Sequence, residues 1–150
     1  MLIKTNNLSK KRANVLEKGG IMALIIGAME LFESAQDYLE RILMLEEEKG
    51  KDKVRAIDIA KSLGFSRPSV SIAMHRLSET GFLEFGDDKE LILTKKGREE
   101  AEAVYERHRV LTKAFISMGV DPKVAADDAC KVEHDLSEET FLAIKANFDK

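Results

Sequence analysis

The sequence predicts a mainly α-helical chain: a three-helix unit closed by one β-hairpin, then a second unit that is helical alone. Three observations carry this. Apolar residues recur every three to four positions over most of the chain. Two short helical stretches meet at Gly64, and two alternating segments, 82–85 and 91–94, flank the polar turn 86–90. From Lys95 onward the pattern is helical throughout.

Taken in order, Ser34 is a suitable N-cap, and Tyr38, Leu39, Ile42 and Leu45 form one stripe, so a first helix is expected over residues 34–49, ended by Gly50. A second short helix within residues 54–63 turns Ile59, Ala60 and Leu63 inward and closes on Gly64. Ser66 caps a third, with Pro68 in its first turn, where a missing N–H costs nothing. It continues through Val70, Ala73, Met74 and Leu77 to Gly81. Two short helices about a tight glycine turn make a helix-turn-helix, and the hairpin after them completes a winged helix-turn-helix. A small helical core with a hairpin and no nucleic-acid role fits the same pattern.

Beyond the wing, a long amphipathic helix is expected over residues 95–118 with a stop at Gly119. A second starts at Asp121-Pro122 and runs to about residue 135, and a third, capped by Ser137, ends near Phe148. The resulting organisation is an N-terminal extension over 1–29, a winged helix-turn-helix domain over 30–95 and an all-helical dimerisation domain over 96–150. The apolar faces of the last three helices exceed the needs of one small domain. Leu111, Phe115, Phe141 and Ile144 are candidates for core or interface, and a two-fold homodimer is expected.

Charge is uneven. The net charge of −3 resolves into +4 over residues 1–21, −5 over 22–52, +2 over 53–96 and −4 over 97–150. A mildly basic middle between acidic flanks hints at a polyanion partner for the middle, although a mixed surface has the same appearance. The single cysteine, Cys130, rules out an intrachain disulfide and suits a reducing, cytoplasmic setting. The longest apolar run, residues 21–29, is too short to span a membrane and is followed by acids rather than a cleavage site. Neither a membrane nor an organic substrate is expected as a partner. The run Glu17-Lys18-Gly19-Gly20-Ile21-Met22 resembles a translated ribosome-binding site, so the native start is expected at Met22 or Met29. If residues 1–21 are present, Lys4, Lys10, Lys11 and Arg12 would form a basic arm.

Cys130, Glu133 and His134 stand at i, i+3 and i+4 on one expected helix, and therefore share a face. A thiolate, a carboxylate and an imidazole together hold a transition metal. A buried cysteine beside a surface Glu-His pair reads the same way. Asp37 and Glu40 share a face of the first helix, yet Asp37 also reaches Arg41 at i+4. His108, between Arg107 and Arg109, is by itself an ordinary surface histidine.

Together these residues resemble the diphtheria-toxin-repressor and manganese-transport-regulator family of metal-dependent transcriptional repressors. The resemblance covers about residues 33–148. It rests on Asp37-Tyr38-Leu39-Glu40, Ser66-Arg67-Pro68-Ser69-Val70-Ser71, Leu93-Thr94-Lys95-Lys96-Gly97, Tyr105-Glu106-Arg107-His108-Arg109 and the stretch from Asp128 to His134. It implies a divalent metal, iron(II) or manganese(II), held by Asp37, Glu40, His108, Cys130, Glu133 and His134. It also implies that Cys130 follows the iron-sensing pattern and Asp37 the manganese-sensing one. The ancillary site of iron-type members would need other residues than Thr112 and Ala126, and their C-terminal barrel domain is not expected because the chain ends at Lys150.

The expected function is metal-dependent repression. Asp37, Glu40, Glu133 and a Cys130 thiolate repel one another until a cation gathers them, tying the first helix to the one that carries Cys130. In a dimer, that tie sets the spacing of the two recognition helices on a double-stranded DNA operator. Base reading is expected from Ser66, Arg67, Pro68, Ser69 and Ser71, and phosphate contacts from His75, Arg76 and Lys89, with Lys95 and Lys96 in support. No catalytic residue is expected. The alternatives are a winged-helix regulator without metal control and, least favoured, a metal-dependent hydrolase, which lacks a two-histidine helix motif and an open coordination position.

Overall fold

The structure, a computed structural model, describes residues 20–148, with side chains from residue 34 onward. From Ala35 the chain forms one compact unit, separate from that of Met1–Ser34. The described elements are α1 (Gly20–Lys49), α2 (Ala56–Leu63), α3 (Arg67–Glu79), β1 (Leu83–Phe85), β2 (Leu91–Leu93), α4 (Lys95–Ser117), α5 (Pro122–Val132) and α6 (Glu138–Phe148). The arm residues Lys4, Lys10, Lys11 and Arg12 lie outside the described residues.

Helix α1 begins at Gly20, well before the expected cap at Ser34. The reason is local: residues 21–33 are mostly strong helix formers, with no proline and only Gly27 to interrupt them. Ser34 is therefore an interior helix residue. The other starts follow their caps. The Ser66 hydroxyl accepts from the Ser69 N–H at 3.3 Å, with proline in the first turn. Asp121 accepts from the N–H groups of Lys123 and Val124, and Thr94 from that of Gly97.

The hairpin is antiparallel, with Leu83 opposite Leu93 and Phe85 opposite Leu91. Leu83, Leu91 and Leu93 point inward to join Leu39, Ile42, Val54, Ile59, Val70, Met74 and Leu77 in one core. Lys89, at the tip of the wing, takes φ +65° to close the turn. Gly97 is fixed by space: a Cβ there would lie 1.8 Å from the Phe82 carbonyl oxygen. Only glycine lets α4 start so close to the foot of the hairpin.

Helix α4 packs against both α5 and α6. Val104, Val110, Leu111, Ala114, Ala125, Ala129 and Phe141 are buried there. Leu111 and Phe141 are thus core residues, while Phe115 and Ile144 are half-buried. Helix α1 is tied to the start of α4 by a partly buried ion pair, in which the Arg98 guanidinium donates to both Glu46 oxygens at 2.9 and 3.1 Å. Among the described residues no helix is long and apolar enough to cross a membrane.

Candidate metal centre and nucleic-acid interface

Two helices and a helix end build the metal-ligating cluster. On α1, the i, i+3 spacing turns Asp37 and Glu40 to one side. His108 reaches in from the middle of α4. Regular helix α5 stops at Val132, one turn earlier than expected, so Glu133 and His134 lie on the turn that leaves it. Asp135 follows in the same turn and faces solvent.

Glu133 is the centre of the group and is 1% exposed. Its Oε2 lies 3.1 Å from His108 Nδ1, and its Oε1 lies 3.4 Å from His134 Nε2. His134 Nε2 is 2.7 Å from Asp37 Oδ1, and His108 Nδ1 is 3.6 Å from Glu40 Oε1. Two triads result, Asp37–Glu133–His134 and Glu40–His108–Glu133, and within each the donor atoms all lie within 4.8 Å of one another. They share Glu133.

The electrostatics of this arrangement are those of a cation site. Glu40 Oε1 and Glu133 Oε1 are buried and, among the described residues, satisfied by no hydrogen bond. A buried acceptor left this way costs about 1–3 kcal/mol. Burial, with the neighbouring Glu133 carboxylate next, pushes the Glu40 carboxyl up to about 9. Carboxylates and imidazoles in this mixture are donors suited to a divalent transition ion, and an ion would satisfy the orphaned oxygens.

Cys130 stands apart from the other five residues. Glu133 keeps helical backbone and donates its N–H to the Ala129 carbonyl at 3.0 Å, so Cys130 stays beside it at the edge of the group. Cys130 is exposed, and its sulfur belongs to neither triad. Although the residue as a whole is exposed, partial desolvation of its sulfur, then the nearby carboxylates of Glu133, Asp37 and Glu40, raises its thiol to about 11. It therefore borders the cluster without closing it.

The expected DNA-facing residues form a second surface. Ser66, Arg67, Pro68, Ser69, Ser71, His75, Arg76 and Lys89 are all exposed. The His75 ring lies 5.0 Å from that of Phe85, and its Nδ1 is 2.8 Å from the Ser71 carbonyl oxygen, so the wing and α3 brace each other. Lys95 and Lys96 are exposed as well. The Lys96 ammonium donates to the Thr80 carbonyl at 3.1 Å and sits over the Phe82 ring, at the wing's foot.

Sequence reasoning missed two residues. Ile72 is 56% exposed on the outer side of α3. Its signal was an apolar residue off the Val70–Met74–Leu77 core stripe. Gln36 touches His134, its Oε1 lying 2.9 Å from Nδ1. A search for charged donors at i+3 and i+4 could not find a neutral residue adjacent to Asp37.

Comparison with known proteins decides the family. Residues 30–91 match the model of the iron-dependent repressor N-terminal DNA-binding domain, and residues 94–150 that of the iron-dependent repressor metal-binding and dimerisation domain. The chain belongs to the diphtheria-toxin-repressor and manganese-transport-regulator family. Members of this family are metal-dependent DNA-binding regulators and not enzymes. The transcriptional regulator MntR of Escherichia coli is 35% identical over 113 residues, 75% of this chain and 72% of that protein. An uncharacterized HTH-type transcriptional regulator of Methanocaldococcus jannaschii is 30% identical over 119 residues, covering 79% of this chain and 94% of the relative. A solved manganese-dependent transcriptional repressor in complex with manganese superposes with a TM-score of 0.68 at 31% identity, over 77% of this chain and 52% of that one. The chain thus spans about half the length of the solved repressor it matches. The winged helix-turn-helix and the helical second domain expected from the sequence are those of the family.

Proposed function

We propose that this family member is a homodimeric repressor of metal-ion homeostasis genes in the cytoplasm. It binds its operator when iron(II) or manganese(II) occupies the cluster of Asp37, Glu40, His108, Glu133 and His134. The observation that carries the reading is Glu133, buried at the junction of two donor triads with one oxygen turned toward each. That arrangement offers donors for a divalent cation on both sides of the Glu133 carboxylate. Cys130 borders this donor set, and its sulfur, if drawn in as thiolate by the ion, would shift preference toward iron(II).

The ion supplies positive charge that cancels the repulsion of the gathered carboxylates. The chain's own residues do the rest. Asp37 and Glu40 belong to α1, which also carries core residues Leu39, Ile42 and Leu45. Fixing α1 against α4 and the end of α5 fixes the unit that presents α3. Ser66, Arg67, Pro68, Ser69 and Ser71 then face bases, with Ile72 beside them, while His75, Arg76 and Lys89 meet phosphates. Exposed Ile116, Met118, Val124 and Leu142 on the second domain supply the apolar area of a dimer contact.

Binding to the protein's own promoter region, titrated anaerobically with each metal, tests the reading. Tight binding only with metal is expected. Equal affinity under a chelator would favour a winged-helix regulator without metal control.

A further inference from the structure

The side chain of Gln36 does two things at once. Its Nε2 is 2.6 Å from Glu100 Oε1 on α4, and its Oε1 is 2.9 Å from His134 Nδ1. A carboxylate accepts and cannot donate, so Glu100 determines which end of the Gln36 amide is the NH₂. The amide oxygen must then face His134, and His134 Nδ1 must carry the hydrogen that this oxygen accepts. The other ring nitrogen, Nε2, is the one turned toward Asp37 Oδ1 at 2.7 Å and toward Glu133 Oε1 at 3.4 Å.

We infer that Gln36, oriented by Glu100, is a positioning residue that fixes the His134 tautomer and keeps Nε2 available for the metal. This rests on the proposed metal centre and goes beyond it, because neither residue is a donor of either triad. The relay serves three ends. It sets the ring plane, since both nitrogens of His134 are engaged on defined sides. It places a dipole against Nδ1–H, which raises the basicity of the opposite nitrogen, as outer partners of ligating histidines do. It also joins α1 to α4 through Gln36 and Glu100, in parallel with the Glu46–Arg98 pair lower on the same helices.

The test uses the full chain and zinc alone, chosen because it is diamagnetic. Zinc affinity is measured by competition with a chromophoric chelator, and the His134 tautomer by ring ¹⁵N shifts of the zinc-loaded protein. Gln36→Leu should weaken zinc binding by roughly 10- to 100-fold and free the tautomer. Gln36→Glu alone sets two carboxylates together and should also weaken binding. Combined with Glu100→Gln it rebuilds the relay in reverse. The new amide at position 100 then donates to the new carboxylate at position 36, and affinity should return to near wild type. A Gln36→Leu protein with wild-type affinity, a reversed pair that fails to rescue, or a zinc-bound His134 protonated at Nε2 would overturn the inference. His134→Ala separates the two levels. If it lowers zinc affinity while Gln36→Leu does not, only the positioning role fails. If it binds zinc as the wild type does, the metal centre itself is wrong and the inference falls with it.

Discussion

The helix-turn-helix core and the metal cluster lie in one compact unit and are built on opposite terms. In the first, Leu39, Ile42, Val54, Ile59, Val70, Met74, Leu83 and Leu91 are buried together, and each local choice of cap, turn and stripe agrees with the packing. In the second, Glu40 and Glu133 are buried, each with one oxygen that, among the described residues, makes no hydrogen bond, against the rule that buried polar groups be satisfied. The first region is held by apolar packing. The second holds unsatisfied acceptors that a cation would satisfy, and that difference would give the cation leverage over the fold.

The contrast breaks first at the pair that joins the two regions. Arg98→Met would leave the Glu46 carboxylate buried without its partner, and should cost roughly 3–5 kcal/mol, with or without metal. Thermal unfolding with and without added manganese checks this; a loss confined to the metal-loaded form would show that the pair belongs to the switch. Met74→Ala, wholly inside the apolar core, should cost about 2–5 kcal/mol, with the metal-induced rise in Tm retained. Glu133→Gln should do the reverse: it removes the carboxylate shared by both triads, so the metal-induced rise in Tm disappears while the apolar core is untouched. A metal-induced rise equal to that of wild type would contradict the role given to Glu133.

The same contrast governs how far each region is legible in the sequence. The core is readable because its signals are periodic and local: Ser66, Pro68, Gly64 and the alternation of 82–85 fix elements wherever they fold. Five of the six expected metal donors converge, since spacings such as that of Asp37 and Glu40 survive in a helix. The departures arise where the chain leaves regular structure or where a partner is distant in sequence. Cys130 is expected beside Glu133 from their spacing, but spacing does not tell how near the sulfur comes to donors on the other helices, and it belongs to neither triad. Gln36 and Glu100 give no sequence signal because their meeting spans 64 positions. The contacts of Lys96 with Thr80 and Phe82 are likewise not legible from its place beside Lys95.

A smaller effect concerns pH. Glu40 sits at about 9 in the folded protein against an ordinary value of 4.5. The metal-free fold therefore binds more protons than the unfolded chain between those values. Stability should be fullest at or below about pH 4.5 as far as this group is concerned, and should fall as pH rises toward 9. Saturating metal should flatten that slope, because the ion replaces the proton. Metal-free melts at about pH 6 and about pH 8.5 check the sign; a higher Tm at the more alkaline pH would be the wrong one. The smallest expected effect is on metal choice. Cys130→Glu exchanges the soft donor for a hard one and should move the preferred metal from iron(II) toward manganese(II). Identical ranking of the two metals by variant and wild type would remove Cys130 from selectivity.

The central claim is that charge gathered at Glu133 couples metal to DNA. The most direct measurement is the affinity of the purified protein for its own promoter region, in wild type and Glu133→Gln, each with manganese and with a chelator. Metal should tighten wild-type binding on the order of 5- to 150-fold, the usual range of such coupling, and leave Glu133→Gln unchanged. Wild-type binding that is equally tight under the chelator, or a Glu133→Gln protein that still responds to metal, would contradict it.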